Sequence, residues 1–79
     1  MKSDQQLDIS GVVIPFNLAL CKSTLARMTT GAVLEICLTD NDTLRDLLII
    51  VERSGDDVLA WEKHDDGYYL WVRKNPGRH

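Results

Sequence analysis

Two thiols are the strongest candidate nucleophiles in this 79-residue chain, and each sits in a different pattern. Cys21 shares a stripe with Leu18, Leu25 and Met28 at three- and four-residue intervals, the spacing of one helix face. Burial there raises a thiol pKa and leaves cysteine to act as a small apolar residue. Cys37 stands between Ile36 and Leu38, so strand geometry turns it away from the side those two bury. No basic neighbour is present to favour its thiolate. The two cysteines do not have a metal-type spacing, and no metal site is expected. His64 lies among Glu62, Asp65 and Asp66, where a solvated turn accounts for it. Asp40, Asp42, Asp46 and Glu35 read as capping and surface charge, and no nucleophile–base set emerges.

The third place where chemistry could occur is Gly11-Val12-Val13-Ile14-Pro15-Phe16-Asn17-Leu18. Pro15 suits the first position of a helix, because its missing N–H would have had no partner there. A group just before it meets unpaired N–H donors and the positive end of the helix dipole. A thiolate in that position would be activated. The residue there is Ile14.

Six elements must position these residues. Leu7 and Ile9 alternate with Asp8 to give a short strand, and Gly11 permits the turn after it. A helix runs from Pro15 to about Met28 and closes at Gly31, with Arg27 suiting its negative end. Ala32 to Thr39 alternates as a strand. Asp40 caps a second helix that runs to about Ser54, with Leu44, Leu47, Leu48 and Val51 inward and Gly55 ending it. Val58–Lys63 and Tyr68–Arg73 are strands of a hairpin turned at Asp66-Gly67. The expected fold is an α+β two-layer sandwich in the order β-α-β-α-β-β: a four-stranded mixed sheet with two helices on one face.

That arrangement leaves one sheet face uncovered. Alternation with Val58, Ala60, Tyr68, Leu70 and Val72 inward puts Leu59, Trp61, Lys63, Tyr69, Trp71 and Arg73 on the open side, beside Val33 and Cys37. An exposed aromatic surface of this kind marks a partner site. Homodimerisation or docking of another protein through it is expected.

Composition bounds the rest. One domain spans 1–79, with a core from about 6 to 74 and short flexible termini. Apolar content of 44% and charged content of 27% are ordinary for a globular chain. A formal charge of −3 opposes nucleic-acid binding, although Arg73, Lys74, Arg78 and His79 cluster near the C-terminus. No segment approaches the roughly 20 apolar residues of a membrane span, and the polar N-terminus lacks a signal-peptide core. A cytoplasmic location and free cysteines are the expectation.

The ordered motifs resemble the TusA/SirA-like sulfur carrier family over residues 6 to 74. Its N-terminal pattern is leucine-aspartate, two residues, glycine, two residues, then cysteine-proline-x-proline. It is similar to Leu7-Asp8-Ile9-Ser10-Gly11-Val12-Val13-Ile14-Pro15-Phe16-Asn17. Lys22, Met28-Thr29-Thr30-Gly31, Thr39-Asp40-Asn41, Arg45-Asp46, Gly55 and Tyr68–Lys74 match later parts. The resemblance implies the same fold, no cofactor, and protein partners: a cysteine desulfurase, another sulfur-transfer protein or a paralogue. It implies that the residue before the first proline carries a persulfide. Here that residue is Ile14, and Asn17 stands in place of the second proline, a second departure that loosens the match to the motif. An isoleucine cannot hold sulfur. Three readings follow: a binding protein that docks through Val13, Ile14 and Phe16 or through the open face; a sulfurtransferase using Cys37 or Cys21; or a small regulatory domain unrelated to sulfur.

Overall fold

A computed structural model of the chain describes residues 1–75. The elements follow the expected order: β1 (Gln5–Asp8), α1 (Phe16–Arg27), β2 (Val33–Leu38), α2 (Asn41–Ser54), β3 (Asp57–His64) and β4 (Gly67–Arg73). They form one four-stranded sheet ordered β1-β2-β4-β3. β1 runs parallel to β2, and β4 is antiparallel to both neighbours, so the hairpin folds its second strand into the sheet and leaves β3 at the edge.

The core lies between one sheet face and the two helices. Leu34, Ile36, Leu38, Leu70 and Val72 supply the sheet side; Cys21, Leu25, Leu44, Leu47 and Val51 supply the helix side. Ile9, just past β1, is buried with them. These are the positions that period-2 and period-3.6 spacing selects. α2 begins at Asp40, whose Oδ2 accepts from the Thr43 N–H at 2.9 Å. It ends at Gly55, which takes the left-handed conformation that favours glycine.

Two expectations are corrected here. Pro15 precedes α1 as its N-cap rather than serving as its first residue, one position earlier than the sequence suggested. In β3 the register shifts between Val58 and Ala60. Val58 pairs with Val72 before the shift, and Trp61 pairs with Leu70 after it. Both partners face the core, and cross-strand partners share a face. The extra residue therefore reverses the alternation. Trp61 and Lys63 sit on the helix side of the sheet and Ala60 on the open side, opposite to the expectation. The expected frayed tail beyond Asn75, with Arg78 and His79 of the basic cluster, lies outside the described residues.

Candidate functional site

The corner before α1 is built by a turn and closed by side chains. The Val12 N–H donates to the Ile9 carbonyl at 3.1 Å, and Gly11 supplies the positive φ of +80° that the turn requires. The peptide bond between Ile14 and Pro15 is cis. Three amides in the first turn of α1 find partners within the chain. Asn17 donates to the Val13 carbonyl and Ala19 to that of Pro15, each at 3.1 Å. The Leu18 N–H donates to Asn17 Oδ1 at 2.8 Å. These are the donors a helix start would otherwise turn toward an anion.

Asn17 does more than fill the place of a proline. It is 4% exposed, and its Nδ2 donates to Thr43 Oγ1 at 3.3 Å. That hydroxyl donates in turn to Asp40 Oδ1 at 2.7 Å. A chain of hydrogen bonds thus joins the start of α1 to the cap of α2. The corner is tied down by this network. Both acceptor contacts from Thr43 favour the Asp40 carboxylate, side chain first and backbone second, and hold its pKa below the ordinary value.

What this frame presents to solvent is apolar. Val13, Ile14 and Phe16 are 65%, 63% and 66% exposed. Leu20, one turn beyond Phe16, is exposed as well. Beside them a cavity of about 400 Å3 opens between Val13 and Ile14 on one side and Thr39, Asp40 and Thr43 on the other. The sequence reading did not single out Leu20 or Thr43. Leu20 lies off the Leu18–Cys21–Leu25 stripe, which was the available signal. Thr43 acquires its role only through a residue 26 positions away.

Neither cysteine is poised for attack. Cys21 is 1% exposed, and burial pushes its thiol up to about 12. Cys37 is half-buried on the open sheet face. Its pKa is raised by burial first, then by the negative charges of Glu35, Asp8 and Asp66. Among the described residues no group of histidine, cysteine and carboxylate side chains could hold a metal ion. None of the described helices is long and apolar enough to cross a membrane.

The expected aromatic surface is divided. Trp61 is exposed on the helix side, tilted against Tyr68 at a centroid distance of 6.2 Å. Tyr69 and Trp71 lie on the open face, stacked at 6.2 Å with 25° between planes. Trp71 is only 5% exposed, with its Nε1–H donating to Glu35 Oε1 at 3.0 Å. It forms the floor of that face instead of a projecting anchor.

Comparison with known proteins agrees with the fold and its motifs. The family described as Sulfurtransferase TusA matches residues 5–74. A protein of Aquifex aeolicus (strain VF5) named as a candidate sulfur carrier is 30% identical over all 79 residues, and the chain spans 40% of that protein's length. The sulfur carrier protein TusA of Allochromatium vinosum is 26% identical over 72 residues, covering 91% of this chain and 95% of its own length. The crystal structure of a SirA-like protein from Desulfitobacterium hafniense superposes with a TM-score of 0.74 at 20% identity, over 87% of this chain and 93% of that one.

Proposed function

Because this chain belongs to the TusA sulfurtransferase family, we propose that it works in sulfur relay by binding other proteins and carries no persulfide of its own. The observation that carries this reading is Ile14. It occupies the position where the family resemblance requires the sulfur-bearing cysteine, and it is 63% exposed in an apolar patch with Val13, Phe16 and Leu20. A sulfur relay step needs a thiolate to accept sulfane sulfur and release it to the next thiol. An alkyl side chain offers no lone pair for either exchange. An exposed cluster of large apolar groups instead suits burial against a partner. The partner is a sulfur-transfer protein, a desulfurase or a cysteine-bearing paralogue.

The alternative carriers have little to recommend them. Cys21 is enclosed in the core, and Cys37 sits in a field of carboxylates that opposes its thiolate. The test is to incubate the protein with a cysteine desulfurase and cysteine, then measure intact mass. The wild-type chain is expected to gain no sulfur, whereas Ile14→Cys gains one atom at that residue. Sulfur on Cys21 or Cys37 of the wild type would overturn the reading. An unloaded Ile14→Cys variant would remove the desulfurase from the set of partners.

A further inference from the structure

The uncovered face of the sheet has a definite chemistry. Register places Asp8, Cys37, Tyr69 and Glu62 in one row across all four strands, and Gln6, Glu35, Trp71 and Ala60 in the next. Arg73 and Asp57 follow, bonded to each other at 2.7 Å. Among the described residues no ion pair links Asp8 or Glu35 to a cation. Asp8 accepts from the Ser10 N–H at 2.8 Å, Glu35 from the Trp71 indole, and Glu62 meets the His64 ring at 3.0 Å. The bulge removes the nearby lysine, since Lys63 pairs with Tyr68 on the helix side. Carboxylates thus ring an aromatic floor, and among the described residues the guanidinium on the face, that of Arg73, is engaged by Asp57.

We propose that this open sheet face is a docking surface for a basic segment of a partner protein, rich in arginine or lysine. Charge complementarity selects the occupant. A second copy laid face to face would set Asp8, Glu35 and Glu62 against their own kind, and like charges across an interface oppose association. A nucleic acid would meet the same repulsion from its phosphates. Arginine and lysine satisfy the carboxylates while their stems and guanidinium planes lie on Tyr69 above Trp71. The negative field is strong enough to raise the pKa of Tyr69, through Asp66 first and then Cys37, burial, Glu35 and Asp8. This surface lies on strands, apart from the apolar patch at the start of α1, so the two readings fail separately.

The test uses the whole chain, labelled with nitrogen-15, and a short peptide alternating arginine with glycine as probe. Chemical-shift changes are expected to concentrate on Glu35, Cys37, Tyr69 and the Trp71 indole, and to fade with added salt. The triple variant Asp8→Asn, Glu35→Gln, Glu62→Gln retains the acceptor oxygens for Ser10 and Trp71, so its fold should persist. It is expected to bind about tenfold more weakly, the sum of several exposed charge pairs. Asp46→Asn, at an exposed position of α2, should bind the peptide as wild type does, whatever becomes of the sulfur-relay reading. Equal shifts on the α2 carboxylates Asp42, Asp46 and Glu52 would overturn the proposal, as would an unweakened triple variant. A wild-type dimer whose contacts map to these strand residues would assign the face to a second copy and also overturn it.

Discussion

Asn17 shows how much one side chain can alter a motif. Its amide joins Leu18 to Thr43 and, through that hydroxyl, to Asp40. Asn17→Ala would leave the Leu18 N–H and the buried Thr43 hydroxyl each one partner short. It is expected to cost about 1–2 kcal/mol in urea unfolding. The cysteines give a second test at this scale. A thiol reagent at mildly alkaline pH should modify Cys37 more slowly than a free thiol, and Cys21 only as the chain unfolds. Cys21 also makes stability pH-dependent. Its folded pKa is raised to about 12 from an ordinary 9.0. Its contribution is therefore whole below pH 9.0 and shrinks as pH rises toward the folded value, by about 1.4 kcal/mol per pH unit. Cys21→Ala should flatten that alkaline slope. The core role of Cys21 was legible from its stripe, because helical periodicity reports burial directly. The part played by Asn17 was not, since its partner lies on another helix and local pattern carries no trace of it.

Two helix and hairpin ends carry predictions at the scale of elements. Asp40→Ala removes the cap of α2 and should cost about 1 kcal/mol. Because its folded pKa is depressed, the charge-dependent part of its contribution is present above the ordinary carboxylate pKa and is lost as pH falls through the folded value. Asp40→Asn keeps a capping oxygen and should mainly flatten this acid-side slope. Gly67 was expected from turn chemistry alone, yet the structure adds a second demand. Its φ is +146°, and a Cβ there would collide with the Leu38 carbonyl oxygen on the adjacent strand. That backbone is fixed by pairing, so Gly67→Ala should cost at least about 2 kcal/mol by thermal or denaturant unfolding. Every helix and strand was legible from spacing, caps and the Asp66-Gly67 turn. The bulge was not, because Val58, Leu59, Ala60 and Trp61 are all apolar and offer no polar residue to mark which side faces water.

Across the whole molecule, the fold distributes its surfaces by character: apolar residues project at the α1 corner, and acidic ones surround the aromatic floor on the far side of the sheet. Neither surface was fully legible, since each depends on side chains brought together from several strands or turns. The shift in β3 has a further consequence for how these molecules coexist at high concentration. An unpaired edge strand is a template on which another chain can add its own backbone. β1 offers only four residues, and β3 is interrupted by its bulge and ends in Glu62, Lys63 and His64. Neither border invites an added strand. The residue that turned Trp61 to the other side also blunts the longer border against fibre growth, a property that deletion of Leu59 would put at risk.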